Sequence, residues 1–420
     1  MKHHCPGWGP RVRMAVLLMA AWILPWHVST SRAESAQVLP KGVSSASATY
    51  YHYFDITERY DPNGKVEDID ANYNANLNST VFPALAPLDP FFPGVGASIG
   101  RSVVDFSFIY RWWEFGFNYG VTDRLSVGIN VPYNWTENRV EATLDTSTAN
   151  VGKNPALGII VPLAVLGTVP LTTEDVQSLL GAGLDVNGDG TVDVPGFGYK
   201  RFESFKGNGV GDIDLLAKYK FHEDSQWRLA FGAGARLPTG EVDDPDDLTD
   251  LGFGDGQTDL LFRFFGDYRL SDKWSLNATL RYDWQLEDHQ TLRVPASANL
   301  PITANKENVE RDLGDVFETE LTGAYSFSRE WAGSLTYRYT TKGKDKVSGS
   351  MGLAYSALED ETDMKSHVGL VGVTYSTIGK FRDGQARVPL LAGLSYRNRF
   401  AGENNSTKSE FVSLTLSIFF

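Results

Sequence analysis

Hydrophobic and polar residues alternate along much of this chain with a period of two, the pattern of a β-strand whose faces meet different surroundings. The clearest run is KWSLNATLRYDWQLED. Trp274, Leu276, Ala278, Leu280, Tyr282, Trp284 and Leu286 share one face of it, and Ser275, Asn277, Thr279, Arg281, Asp283, Gln285 and Glu287 share the other. At about 3.3 Å per residue such a run suits a tilted crossing of a bilayer, which takes roughly 9–11 residues in the hydrocarbon. The pattern recurs in QWRLAFGAGARLP, where Trp227, Leu229, Phe231, Ala233, Ala235 and Leu237 stand opposite Arg228 and Arg236. It recurs again in RLSVGINVPYNW and in EWAGSLTYRY, the latter with Arg338 on the polar face. The apolar face carries aromatic residues at its ends, as the lipid-facing wall of an outer-membrane barrel does.

Short polar turns, VTDRL, HEDSQ, LSDK and SREW, separate these runs pairwise, while the intervening connections are long and irregular. Short periplasmic turns and long extracellular loops give this asymmetry. About twelve strands are expected, near 46–58, 102–121, 123–141, 208–222, 226–238, 256–270, 273–289, 313–328, 330–344, 362–378, 386–400 and 408–420. An even count with the short turns on one side puts both termini in the periplasm. In the last ten residues, FVSLTLSIFF, Val412, Leu414, Leu416, Ile418 and Phe420 alternate with Ser413, Thr415 and Ser417. That strand resembles the terminal signal read by barrel-assembly machinery, an expected partner alongside outer-membrane lipid. In VVDFSFIYRWWEFGFNYGV the apolar phase moves from Phe106, Phe108, Tyr110 and Trp112 to Trp113, Phe115, Phe117 and Tyr119, so a bulge is expected near Trp112 and Trp113.

The fold class is therefore all-β, a transmembrane antiparallel β-barrel occupying 34–420. Residues 1–33 read as a secretory signal: Lys2, Arg11 and Arg13 precede the apolar stretch MAVLLMAAWILPW, and Ser31 and Ala33 set a cleavage site after Ala33. No later window holds 18 uninterrupted apolar residues, which excludes helical spans. The single cysteine, Cys5, lies in the signal, so the mature barrel has neither disulfide nor thiolate metal site. A net charge of -14 and a pI near 5.0 set nucleic acid aside as a partner. The expected location is the outer membrane of a Gram-negative bacterium.

With the apolar face toward lipid, the lumen receives Asp212, Asp214, Lys218 and Lys220, then Arg228 and Arg236, Arg263, Asp267 and Arg269. Arg281 and Asp283, Glu318 and Glu320, Arg338, Arg397 and Arg399 follow. Such a set either forms a cross-strand salt-bridge lattice or lines a conducting polar channel. Two loops are apolar: one holds Phe82, Phe91 and Phe92, the other Ile159 and Ile160. They either fold into the mouth as a lid for an apolar solute or pack on each other. The acidic loops EVDDPDDLTD and LEDETD read as solvated surface. Of the seven histidines, His3, His4 and His27 lie in the signal, and His52, His222, His289 and His367 have no ligand spacing. No nucleophile elbow or phosphate loop is present, so an enzyme is not expected.

The long loop 142–207 contains LDVNGDGTVD. Asp185, Asn187, Asp189 and Gly190 stand at positions one, three, five and six of the EF-hand pattern, Thr191 at seven and Asp193 at nine. PLTTEDVQSLLGAGL before it reads as a short helix capped by Thr172 or Thr173. Position twelve of the segment 185–196 is Gly196 rather than the usual Glu. A structural Ca2+ of modest affinity is expected, with Glu203 as a candidate to complete the site, against an Asx-rich turn without an ion.

GNGVGDIDLLAKYKF and the hairpin into WRLAFGAGARLPTGE resemble the family named for the meta-pathway of phenol degradation. The matching residues are Gly209, Gly211, Asp212, Lys218, Tyr219, Gly232, Gly234, Leu237, Pro238, Thr239 and Gly240. The resemblance implies an outer-membrane transporter related in architecture to fatty-acid and toluene channels. The expected function is passive uptake of a small, hydrophobic or aromatic solute. The alternative is a non-conducting barrel that presents calcium-braced loops for surface interaction.

Overall fold

A computed structural model describes residues 35–404 and 406–420. The signal segment expected at 1–33 lies outside them. Twelve antiparallel strands close into a barrel. They are β1 (Ser44–Tyr53), β2 (Ser98–Thr122), β3 (Leu125–Asp145), β4 (Ile213–Glu223), β5 (Trp227–Leu237), β6 (Asp259–Arg269), β7 (Trp274–Gln285), β8 (Val316–Ser326), β9 (Trp331–Lys342), β10 (Met364–Ser376), β11 (Leu390–Glu403) and β12 (Glu410–Phe419). Each pairs with its chain neighbour, and β12 returns to β1 in the register Ala48↔Leu416. Closure removes the free edges that an apolar C-terminal strand would otherwise expose to aggregation.

Burial is the reverse of that in a soluble sheet. On β7, Thr279, Arg281, Asp283 and Gln285 are buried, while Trp274, Leu276, Leu280, Tyr282 and Trp284 are exposed. Facing lipid, apolar side chains need no further cover, and the closed ladder pairs the strands' backbone polar groups with one another. At the periplasmic rim one pair repeats around the wall. Trp227 meets Tyr268, Trp274 meets Tyr325 and Trp331 meets Tyr375, with ring centres 4.5, 4.8 and 4.9 Å apart. These amphipathic rings form the interfacial girdle.

The wall is uneven in height. β2 and β3 run 25 and 21 residues and rise beyond the rim, where Phe205–Val210 pairs with β3. That segment breaks at Gly211 and Asp212 before continuing as β4. Long loops fold over this outer end. They carry a loop hairpin (Val151–Asn154 with Ile159–Pro162), a second one (Asp288–Arg293 with Lys306–Asp312) and the helix α1 (Thr173–Leu180). The core that joins them to the barrel includes Leu77, Phe82, Leu85, Phe106, Leu179, Leu184 and Phe202. Fully burying each such side chain contributes roughly 1.5–3 kcal/mol.

The bulge expected at Trp112 and Trp113 is absent. Pairing of β2 with β3 runs unbroken from Arg101 to Gly120. Phe106, Phe108, Tyr110 and Trp112 point into the lumen while Phe115, Phe117 and Tyr119 point to lipid. The apolar run changes phase because both faces of this strand meet apolar surroundings, one below the loops and one in the membrane, and no residue is inserted.

Candidate functional site

The inward face of β2 is built from large rings because it faces other rings rather than water. Under the loops Tyr73 lies between Phe202 and Phe106, at 5.5 and 5.8 Å between ring centres, and Phe106 meets Phe108 at 4.5 Å. Further down the same face Tyr110 lies 5.1 Å from Trp112, which stacks on Tyr51 at 4.1 Å. Tyr53 joins Tyr110 at 5.9 Å to Phe411 at 4.6 Å. An aromatic ladder thus descends from the loops to mid-barrel. Its upper end adjoins two cavities. One, of about 90 Å³, is lined by Leu77, Phe82, Val104, Val176 and Phe202 among others, and the second, of about 100 Å³, by Phe106, Phe108, Asp243 and Arg311 among others. Tyr73 lines both, and burial pushes its phenol up to about 12.

The opposite wall is ionic. Arg236 of β5 donates to Asp214 of β4 and Asp259 of β6, each at 3.0 Å, and lies 3.8 Å from Asp283 of β7. Arg263 pairs with Asp283, and Arg281 with Glu318 and, at 3.6 Å, Glu320. Arg338 reaches Glu320 and, at 3.3 Å, Glu318. Acids and bases on successive strands face one another because residues directly opposite in an antiparallel pair lie within side-chain reach. Of the residues expected in the lumen, the structure joins Arg236, Arg263, Arg281, Asp283, Glu318, Glu320 and Arg338 in this lattice. Charges removed from water and paired this closely leave little for a passing ion.

Lys218, Arg228 and Asp267 serve a different purpose. The chain before β1 turns back into the periplasmic mouth. Ser35 Oγ donates to Asp267 at 2.6 Å, Lys218 Nζ donates to the Ser35 carbonyl at 3.0 Å, and Leu39 N donates to Ser126 Oγ at 2.8 Å. Ala36 is fully buried against Ala230 and Phe265, and Arg228 pairs with Glu223 and Asp267. A Cβ on Gly120 would stand 2.0 Å from the Pro40 carbonyl oxygen, so only glycine lets the segment pass there. Beneath this plug a polar cavity of about 340 Å³ includes Gln37, Asp267, Asn277 and Thr322 in its lining.

The apolar loop residues divide. Phe82 is buried in the upper cavity wall, and Phe92 and Ile160 pack partly against the same core. Phe91 and Ile159 are exposed, 66% and 49%. In the 185–196 segment each polar side chain winds the loop on itself. Asp185 accepts from Gly188 N and Gly190 N at 2.7 and 2.8 Å, Asn187 from Asp189 N at 2.9 Å, and Asp193 from Val186 N at 2.7 Å. The Thr191 hydroxyl and amide hold the Asp189 carboxyl below its usual range. Thr172 caps α1 in a reciprocal box with Asp175. Glu203 pairs with Arg201 at 3.4 Å rather than closing the loop. Among the described residues no three His, Cys, Asp or Glu side chains gather in a metal-holding group.

The aromatic ladder was absent from the lumen residues expected from alternation. Its signal is the second apolar face of β2, the even-numbered run from Phe106 to Trp112.

A family model described as "Putative MetA-pathway of phenol degradation" matches residues 106–357. The crystal structure of an outer membrane channel from Pseudomonas putida F1 superposes with a TM-score of 0.53 at 12% identity, covering 93% of this chain and 99% of that one. That likeness is one of fold. A Ralstonia pickettii toluene transporter (TM-score 0.36, 12% identity, 91% and 90% covered) and a Pseudomonas aeruginosa FadL homologue (0.35, 10%, 96% and 97%) are more distant. No curated protein matches the sequence.

Proposed function

The chain belongs to the family described as the MetA-pathway of phenol degradation, and on that premise we propose that this outer-membrane barrel is a channel for passive uptake of small apolar, aromatic solutes. The observation that carries the reading is the aromatic inner face of β2, where one group of rings around Tyr73, Phe106 and Phe108 under the loops is followed by a second around Tyr110, Trp112 and Phe411, so that one wall of the lumen is apolar from the loops to mid-barrel. Aromatic pairs in offset or edge geometry add about 0.5–1.5 kcal/mol beyond burial. Steps of that size favour transfer along the wall without trapping the solute. The phenol in the family's description agrees in solute class. The ionic lattice opposite then stiffens the barrel, and the plug sets when the lower end is free.

The test is uptake of radiolabelled toluene, supplied at micromolar concentration, by a Gram-negative host with and without the chain. Faster uptake with the chain, and its loss in Phe106→Ala with Trp112→Ala, is expected. Equal uptake with and without a correctly inserted barrel refutes the channel and favours the surface-interaction reading.

For the loop 185–193 we propose a structural calcium site of low affinity. Asp185, Asn187, Asp189 and Asp193 with the Thr191 carbonyl supply hard oxygen donors, as such a cation prefers. The same oxygens already accept backbone hydrogens, so an ion tightens a loop that stays wound without it.

A further inference from the structure

At the lower end of the ladder the lumen holds more guanidinium than carboxylate. Glu318 and Glu320 face Arg281 and Arg338 through the lattice, but the next arginines, Arg397 and Arg399 of β11, have no ion pair among the described residues. Arg397 is buried, 6% exposed, and Arg399 is partly buried. Arg399 donates from Nη1 to the Thr407 carbonyl and hydroxyl at 2.8 and 2.7 Å, and its buried Nε has no partner. Arg338 Nη1 is likewise buried and unpaired. Arg397 makes no hydrogen bond among those described and lies with Cζ 4.9 Å from the centre of the Phe411 ring. Glu114 of β2 lies near Tyr51, and no ion pair joins it to Arg397 or Arg399 among the described residues.

A buried cation without an anion is costly, and a cation–π contact with one ring offsets only part of that cost. Phe411 is also the hub of the lower ladder, 4.6 Å from Tyr53, 5.9 Å from Tyr51 and 6.1 Å from Trp112. One ring therefore joins the unpaired guanidinium groups to the aromatic wall. Register explains the meeting: Tyr53 is opposite Phe411 on β12, and Phe411 is opposite Arg397 on β11.

We propose that Arg397 and Arg399, with the rings around Phe411, form a mid-lumen site for a small aromatic carboxylate, the carboxylate taken by guanidinium and the ring by Tyr51, Tyr53 and Trp112. This rests on the channel reading and adds a substrate class to it. Guanidinium suits a carboxylate because its planar donors match two oxygens. A neutral aromatic uses only the stacking half of the site.

The test compares benzoate with benzyl alcohol, its uncharged counterpart, by isothermal titration and by block of single-channel current in the purified mature barrel. Benzoate is expected to bind at least tenfold more tightly than benzyl alcohol. Arg397→Met should erase that difference, and Arg397→Lys should retain part of it. Equal affinity of the two probes, or benzoate binding unchanged in a folded Arg397→Met barrel, overturns the proposal and leaves Arg397 as a strut on Phe411. Where Arg397→Met does not refold, the wild-type comparison of the two probes decides. Toluene uptake that persists beside absent benzoate preference removes only this site; loss of both removes the channel reading as well.

Discussion

Lys218 Nζ donates a 3.0 Å hydrogen bond to the carbonyl oxygen of Ser35, tying a barrel strand to a segment 183 residues earlier in the chain. The same ammonium lies 4.1 Å from the centre of the Phe265 ring, against which Ala36 is buried. The segment before β1 is thus held inside the periplasmic mouth of the lumen. Deleting residues 35–42 should raise single-channel conductance severalfold, and Lys218→Met should give brief openings to the same level. Conductance equal to wild type in the deletion would show that the segment does not limit passage.

Arg338 is fully buried and serves both Glu318 and Glu320. Removing it leaves the two carboxylates to share Arg281 alone, and breaking a buried pair typically costs about 3–5 kcal/mol. Arg338→Met should lower the urea midpoint for folding into lipid vesicles, and adding Glu320→Leu should recover part of the loss. A single variant as stable as the wild type would mean that the lattice is solvated in the membrane.

Asp243 lies in the loop joining β5 to β6, where burial and the nearby Asp250 push its carboxyl up to about 7 although the Gly252 amide opposes this. A folded-state value above the ordinary one means that the folded loop binds the proton more tightly. Its contribution is complete below about pH 4 and is lost as pH rises through about 7. The protection factors of amides in residues 238–258, each taken against the intrinsic exchange rate at the same pH, should therefore be about tenfold higher at pH 5 than at pH 8, and Asp243→Asn should remove the difference. Wild-type protection factors equal at the two pH values would exclude this coupling.

Calcium should slow proteolysis within residues 185–193 at millimolar concentration, with magnesium much less effective because it demands a tighter octahedral shell. Asp185→Ala with Asp189→Ala should abolish the protection. Calorimetry that records no calcium heat on the wild-type barrel would leave the loop as a wound Asx turn.

Period-two alternation was enough to count the twelve strands and, on all but runs such as β2 that are apolar on both faces, to say which face meets lipid, because burial on a β-strand changes with every residue. The run from Trp274 to Gln285 declares both faces by itself. The pairing of Arg236 with Asp214 and Asp259 was legible only as a possibility, since alternation names a face and leaves register open; register comes from turns and closure. The ladder was harder still. Phe106 and Phe115 are equally apolar, and only the loops folded above β2 make the inward face of that strand a dry one. Nothing in Ser35, Ala36 and Gln37 marks them as a plug, because their role comes from Asp267 and Lys218, more than 180 residues away. Local pattern thus determined strand, face and membrane, which depend on the nearest neighbours along the chain. Closure of the barrel decided ladder, lattice and plug, because each exists only where distant strands are brought opposite one another.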